Sequence, residues 1–279
     1  MFARISRGIE LARQSWHVLQ EEKTLLVFPL LSGIACLLVL ASFALPLWAT
    51  GYAGGLLEDG KMPQDPIAYA VLFAFYFVNY FVIVFFNSAL ISCAIIRFHG
   101  QDATLGDGIG AAMQRLPQIA AWALVSATVG IILKAIESRS EKLGQLAAGL
   151  LGAGWAIATY FVVPVLVVEG VGPFAAIQRS FAILRKTWGE SLTAQFGIGL
   201  LVTLATFAAV IPAVAGIALG NTAAAAIGIG ITVVLVVLIS LISAALNTII
   251  LAALYLYAAE GQVPQQFDRD LLASAYGQK

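Results

Sequence analysis

Polar side chains inside otherwise apolar stretches are the residues of this sequence best placed to do chemistry. They form two groups: Asn79, Asn87, Ser88 and Ser92 in the first, and Ser240, Ser243 and Asn247 in the second. The second group recurs at steps of 3 and 4 and therefore shares one face of a helix. An unpaired polar group in lipid is costly. These side chains either bond neighbouring helices or line a hydrated path for a small or uncharged solute, and both alternatives stay open.

The parts that enzymes use within membranes are absent from the sequence. A zinc protease of the H-E-x-x-H type needs two histidines one turn apart, and His17 and His99 are the only two in the chain. Ser32, which precedes a glycine, has no histidine in its apolar stretch to act as a base. Gly106-Asp107 resembles part of the intramembrane aspartyl protease motif, but a helix cap is the favoured interpretation. We therefore expect no enzyme, no cofactor and no metal site.

Composition identifies the solvent of the folded chain. Hydrophobic residues make up 61% of the 279 residues and charged residues only 11%, whereas soluble domains carry about 25% charged residues. This much apolar surface exceeds what one globular core can bury, so a lipid bilayer must cover it. The net charge is zero, which argues against nucleic-acid binding. Cys36 and Cys93 lie in apolar runs and are expected to pack as small hydrophobes.

Six apolar stretches reach the roughly 20 residues that a helix needs to cross a hydrocarbon core of about 30 Å. They lie at 25–49, 67–96, 118–136, 143–168, 193–219 and 223–258. The first follows a basic leader, but its 25 residues exceed the roughly 7–15 of a cleavable signal core. We therefore expect a retained span. The sixth is longer than a bilayer requires and is expected to tilt or project.

The distribution of Lys and Arg between the connections predicts the orientation. One side of the membrane carries 11 of them and the other carries 4. Three of those four, Lys134, Arg139 and Lys142, fall in the third connection, where Glu137 and Glu141 are spaced to pair with them. The richer side is predicted to be cytoplasmic, with both termini inside. Lys134 and Glu137 are interpreted as snorkelling toward headgroups, with a gating pair as the alternative.

Each cytoplasmic segment before spans one, three and five has apolar residues at helical spacing. These residues are Ile5, Ile9, Ala12, Trp16 and Leu19; Leu105, Ile109, Ala112 and Leu116; and Phe174, Ile177, Phe181, Leu184 and Trp188. Cationic residues occupy the opposite faces of the first and third segments. This pattern predicts helices in the headgroup region, the first at 1–22, with Trp16, Phe181 and Trp188 as interfacial anchors.

An interfacial helix followed by two spans occurs three times along the chain. Ser15-Trp16 and Leu19 match Ser180-Phe181 and Leu184 at an offset of 165 residues. This match favours a pseudo-threefold repeat of helical hairpins. The alternative, that amphipathic linkers simply recur, stays open.

Small residues recur every four positions in two spans. They are Ala148, Gly152 and Ala156 in span four, and Ala224, Gly228 and Thr232 in span six. Such spacing lets helix backbones approach closely, either within one chain or between subunits of a homo-oligomer. Glu169, at the end of span four, is expected to pair with Arg179 or Arg185.

Two blocks of the sequence resemble a known family. The first reads S-W-H-V-L from Ser15 and E-K-T-L-L-V-F-P-L-L-S-G from Glu22. The second comprises Val163-Pro164 to Glu169, then Gly172-Pro173, Ala176 and Ser180. Together they resemble an uncharacterised family of prokaryotic multi-span membrane proteins, a domain of unknown function. The resemblance implies a bacterial or archaeal envelope protein and assigns no catalytic residue.

These patterns predict an all-α integral membrane fold with six transmembrane helices and three amphipathic interfacial helices. Residues 1–279 are expected to form a single membrane domain in the prokaryotic cytoplasmic (inner) membrane, ending in a cytoplasmic tail at 260–279. The leading hypothesis is a small-solute channel or transporter, with spans two and six nearest the path. The alternative is a non-catalytic scaffold that binds partners or shapes lipid through its interfacial helices. The residues identify no protein partner.

Overall fold

The computed structural model describes residues 2–50, 66–137, 143–186, 191–268 and 272, and these residues form helices joined by turns. Within this part of the chain, six helices are long and apolar enough to cross a membrane. They are Lys23–Ala49, Pro66–Phe98, Leu116–Glu137, Gly144–Glu169, Leu201–Ala218 and Thr222–Glu260. Each overlaps one predicted stretch, so the predicted number of spanning helices is confirmed. Six such helices indicate a multi-pass membrane protein.

The helices are numbered here in chain order. Their bounds are α1 Phe2–Glu21, α2 Val27–Ala49, α3 Pro66–Phe98, α4 Leu105–Gln114, α5 Leu116–Glu137, α6 Leu143–Ala158, α7 Val162–Glu169, α8 Pro173–Lys186, α9 Ser191–Ala218 and α10 Thr222–Tyr255. A 3-10 turn at Lys23–Leu26 precedes α2, and a π-helical turn at Leu256–Glu260 continues α10.

The fourth predicted span, 143–168, is broken rather than continuous. Helix α6 ends at Ala158 and α7 begins at Val162, with a turn between them. Pro164 explains the break, because a proline ring collides with the carbonyl group four residues earlier and has no N–H to bond it. Pro212, by contrast, lies inside α9, which continues through it.

The chain divides into two compact units, which are described separately. The first comprises Met1–Pro29, Cys93–Thr104 and Arg185–Lys279, and the second comprises Leu30–Ser92 and Leu105–Leu184. In the first unit, α9 and α10 form a hairpin, and α1 packs against both helices. In the second unit, α5 packs against α6.

The α9–α10 hairpin depends on small residues. A Cβ atom at Gly228 would collide with the carbonyl oxygen of Pro212, and one at Gly216 would collide with that of Ala224. Thr232 lies one turn further along α10, and its hydroxyl accepts a hydrogen bond from the backbone N–H of Ala213 at 3.1 Å. The stripe predicted in span six therefore packs within the chain.

Aromatic rings organise the second unit. The indoles of Trp122 on α5 and Trp155 on α6 are stacked, with centroids 5.7 Å apart. Phe43 on α2 contacts Phe75 on α3 edge to face at 5.6 Å. In the small-residue stripe of span four, a Cβ at Gly152 would be in ordinary contact with the side chain of Leu133.

The three amphipathic helices predicted from the sequence form as α1, α4 and α8, and they share a burial pattern. When α1 is aligned with α4 at an offset of 97 residues and with α8 at an offset of 165, two aligned positions are buried in all three helices. The first is occupied by Leu11, Gly108 and Ala176, and the second by Ser15, Ala112 and Ser180. The position that follows is exposed in all three helices, by 38% at Trp16, 52% at Met113 and 52% at Phe181.

The apolar stripes predicted on these helices are partly buried and partly exposed. Ile9 and Trp16 of α1 are exposed, whereas Ala12 and Leu19 are buried. In α8, Phe174 and Phe181 are exposed and Leu184 is buried. The predictions for the Ile5 side chain and for Trp188 lie outside the described residues, as do those for Arg139, Glu141 and Lys142.

Candidate functional site

A cavity of about 370 Å³ lies in the second unit, between α3, α5 and α6. Its volume is at the lower end of the roughly 300–1,000 Å³ typical of small-molecule sites. Lys134 and Glu137 from the end of α5 and Gln145 from the start of α6 line it. The remaining wall is formed by Tyr76 and Tyr80 of α3 and by small or aliphatic residues of α5 and α6.

The charged end of the cavity is an ion pair. The Lys134 Nζ atom lies 3.0 Å from Glu137 Oε2, one helical turn away on α5. The two side chains are 47% and 42% exposed, so they are accessible and partly screened by solvent. The sequence marked this pair only as a snorkelling feature or a gate. The structure places it on the wall of the cavity.

The aromatic wall consists of two stacked tyrosines. The rings of Tyr76 and Tyr80 lie one turn apart on α3, with centroids 6.3 Å apart and an interplanar angle of 28°. Gly130 lies beside Tyr80, because a Cβ there would be in ordinary van der Waals contact with its ring and hydroxyl at 3.8 Å. A larger side chain at position 130 would extend into the cavity.

The lining provides both charges, an amide that donates and accepts, two phenols and apolar surface. Among its described residues there is neither a histidine base nor a thiol or serine nucleophile. Within the described residues, no cluster of three His, Cys, Asp or Glu side chains could hold a metal ion. The groups present can form hydrogen bonds and ion pairs with a small polar molecule.

The polar group predicted on span two also lies in the second unit, and two of its side chains bond within their own helix. The Asn79 side-chain amide donates to Phe75 O at 2.9 Å, and the Ser92 hydroxyl donates to Ser88 O at 2.9 Å. Asn87 is half-buried. Ser88 is fully buried, and its hydroxyl has no hydrogen-bond partner among the described residues. These contacts do not include the predicted interhelical bonds.

The polar group predicted on span six belongs to the first unit. The Ser240 hydroxyl donates to Val236 O at 2.8 Å, and the Asn247 amide donates to the Ser243 hydroxyl at 3.3 Å. Ser240 and Asn247 are exposed. All of these bonds lie within α10. Because the Asn247 side chain is exposed, its amide oxygen is accessible from outside the first unit.

Ser180 of α8 repairs the break in span four. Its hydroxyl accepts from the Phe161 backbone N–H at 3.0 Å and donates to Ala158 O at 2.8 Å. In an unbroken helix, Ala158 O would bond the N–H of Val162, which instead bonds Thr159 O at 3.0 Å. One hydroxyl therefore supplies both the acceptor and the donor that the break removes. The sequence singled out Ser180 as part of the repeat and of the second resembling block, with no role in span four.

Arg115 secures the other end of α7. Its Nε donates to Val167 O at 3.1 Å, which satisfies a carbonyl of the last helical turn. Gly170 ends the helix with φ at +67°, and a Cβ there would lie 2.6 Å from an Arg115 Nη atom. Beside this cap, the predicted pairing of Glu169 with Arg179 is confirmed at 2.8 Å.

The C-terminal segment packs back onto the first unit. Gln266 Nε2 donates to the carbonyl oxygen of Arg97 at 3.3 Å, and Phe267 contacts Phe98 edge to face at 5.7 Å. The Asp268 N–H donates to the side chain of Gln14 at 3.2 Å. Residues 266–268 of the predicted tail therefore pack against α1 and the end of α3.

Comparison with known families gives a match over most of the chain. A family model described as a family of unknown function, DUF6159, matches residues 66–265. The chain belongs to DUF6159. The matched region contains the cavity, the broken fourth span and the second of the two resembling blocks, whereas the first block precedes it. No curated protein and no solved structure matches the chain.

Proposed function

We propose that this DUF6159 protein is a small-solute channel or transporter of the prokaryotic cytoplasmic membrane, with both termini inside and no enzymatic activity. Six helices of spanning length support the multi-pass arrangement. The excess of Lys and Arg in the two termini and in the second and fourth connections supports the orientation. Asn79, Asn87, Ser88 and Ser92 of span two and Ser240, Ser243 and Asn247 of span six remain candidates for the path.

The cavity of the second unit is the observation that carries this proposal. It combines a charged end, Lys134 and Glu137, with an aromatic wall, and it lies among three of the six candidate membrane-spanning segments. Binding sites between helices of membrane bundles commonly take this form. On the predicted topology, the charged end lies at the non-cytoplasmic side, where a solute would enter.

Flux into proteoliposomes tests the proposal. Gly130→Val adds branched carbon atoms beside Tyr80 and narrows the cavity. Gly154→Val makes the same change on α6, where a Cβ would meet open space. We expect flux of the transported solute to fall at least tenfold in Gly130→Val and to stay near wild type in Gly154→Val.

The outcomes are separable. Absence of flux for a panel of ions and small metabolites, in well-folded wild-type protein, would refute the transport function. Equal flux in both valine variants would remove the cavity from the path. Loss of flux in Asn247→Leu alone would place the path along the polar face of span six.

The second candidate is a membrane scaffold, and it rests on α1, α4 and α8. Trp16, Met113 and Phe181 are exposed at equivalent positions of these helices, which supports both the pseudo-threefold repeat and an interfacial location. The double variant Trp16→Ala plus Phe181→Ala would then weaken lipid or partner binding, whereas Asn247→Leu would not. Unchanged lipid behaviour and partner pull-down in the double variant would eliminate the scaffold.

A further inference from the structure

We propose that the cavity between α3, α5 and α6 binds a small zwitterion, a molecule with one ammonium group, one anionic group and a short apolar part. This inference rests on the proposed transport function, whose substrate class it names. The cavity presents one cation, Lys134, and one anion, Glu137, at the same end. Among the residues that the structure describes, no other charged side chain lines it.

The charge pair sets the preference. A ligand with a single charge is attracted by one member of the pair and repelled by the other, because both lie within one helical turn. A zwitterion instead places its anionic group against Lys134 Nζ and its ammonium group against Glu137 Oε2. The existing ion pair opens readily, since half-exposed pairs contribute little to stability. Both charges of the protein then remain paired.

The rest of the lining fits the same ligand. Gln145 adds an amide that both donates and accepts at the charged end. The stacked rings of Tyr76 and Tyr80 provide apolar faces and an electron-rich surface that favours an ammonium group. The volume of about 370 Å³ admits a molecule the size of an amino acid.

Two sources carry this chemistry: a free zwitterionic solute and the headgroup of a zwitterionic phospholipid. The charged end lies at the end of α5 and the start of α6, where a spanning helix meets headgroups and water. Either source reaches the cavity there. The experiment therefore contains one arm for the class of ligand and one arm for its source.

The first arm compares three probes with the same apolar part. Leucine carries both charges, 3-methylbutylamine lacks the carboxylate, and 4-methylpentanoate lacks the ammonium group. Binding to purified full-length protein in phosphatidylglycerol nanodiscs is measured by titration calorimetry. We expect leucine to bind at least tenfold more tightly than either analogue. Equal affinities for the three probes, or no binding of leucine, would overturn the proposal.

Single substitutions test the roles of the two charges. Glu137→Gln leaves only the cation, so the preference should shift to 4-methylpentanoate. Lys134→Gln leaves only the anion, so the preference should shift to 3-methylbutylamine. Thr128→Val, an exposed position on α5 outside the cavity, is the matched control and should retain the wild-type order. A merely structural ion pair would not reverse the ligand order in opposite directions, and absence of both shifts would overturn the assignment of the charges.

The second arm identifies the source. Adding phosphatidylethanolamine to the nanodiscs should weaken leucine binding at least tenfold if the headgroup occupies the site, and should leave it unchanged if a free solute does. Either result supports the shared zwitterion chemistry. Leucine binding in the expected order without flux would refute transport and retain the site. Flux without the expected order of probe affinities would refute the preference for a zwitterion and retain the transport function.

Discussion

Replacing Ser180 by alanine removes the one side chain that bridges the break in span four. Its hydroxyl bonds the Phe161 N–H at 3.0 Å and the Ala158 carbonyl at 2.8 Å. Ser180 and Phe161 are both fully buried. Water therefore does not replace the lost partner in the folded state, and the N–H of Phe161 is left without its acceptor.

The magnitude follows from the buried N–H. Hydrogen bonds between helices in membranes average about 0.6 kcal/mol and reach about 1.7 kcal/mol. An orphaned buried donor costs more, about 1–3 kcal/mol. Because Phe161 is fully buried and two bonds are lost, we expect Ser180→Ala to lower the free energy of unfolding by about 2 kcal/mol, or about 30-fold in the folded-to-unfolded ratio.

The chain provides a matched control in Ser15. It occupies the equivalent position of α1 and is equally buried, but its hydroxyl has no partner among the described residues. Ser15→Ala therefore makes the same change in volume and burial without breaking a hydrogen bond, and should be nearly neutral. Unfolding in mixed SDS micelles, followed by circular dichroism, measures both. Equal destabilisation of the two variants would refute the role assigned to Ser180.

Two further pairs of glycine variants test backbone contacts by the same unfolding measurement. Gly170 and Gly220 both have φ near +67°, a left-handed conformation that costs an alanine about 1–2 kcal/mol. Only Gly170→Ala also displaces Arg115, so it should lower the free energy of unfolding more than Gly220→Ala does. Equal losses of stability in the two variants would contradict the cap formed by Arg115. Gly228→Ala should destabilise by about 1–3 kcal/mol because its Cβ meets a carbonyl of α9. Gly230→Ala, where the added Cβ lies in open space, should stabilise the protein by about 0.5–1 kcal/mol through helix propensity. If Gly228→Ala and Gly230→Ala changed the free energy of unfolding in the same direction, the close packing of α9 and α10 at Gly228 would be refuted.

The helices were predictable because one strong constraint determines them. In lipid, backbone groups must bond internally, so a long apolar stretch becomes a helix and its length gives its bounds. Pro164 indicates a kink in span four, but the sequence does not give the position of the break at 159–161. A proline within a spanning helix is tolerated wherever neighbours satisfy the freed groups. Only the fold reveals that Ser180 does so from a different helix.

The cavity was harder to predict than the spans. Lys134 and Glu137 were recognised as a pair, but their position near a span end is equally typical of snorkelling. Tyr76 and Tyr80 are one turn apart in an aromatic-rich helix, where they look like packing residues. The signal in the sequence was the combination of small residues in spans three and four with the two tyrosines of span two. Sequence spacing alone does not show which helices face each other.

The amphipathic helices show why polarity alone does not define an inner face in a membrane protein. The protein interior and the lipid are both apolar, so hydrophobicity does not distinguish them, and packing favours small side chains where backbones approach. In α8, Ala176, Ser180, Ile183 and Leu184 are buried, whereas Phe174 and Phe181 are 73% and 52% exposed. Large aromatic side chains on the outer side are suited to the interface, and small ones on the inner side allow the helix to approach the break that Ser180 repairs. In α8 the aromatic side chains Phe174 and Phe181 therefore lie on the outer side, whereas small and aliphatic side chains face the protein.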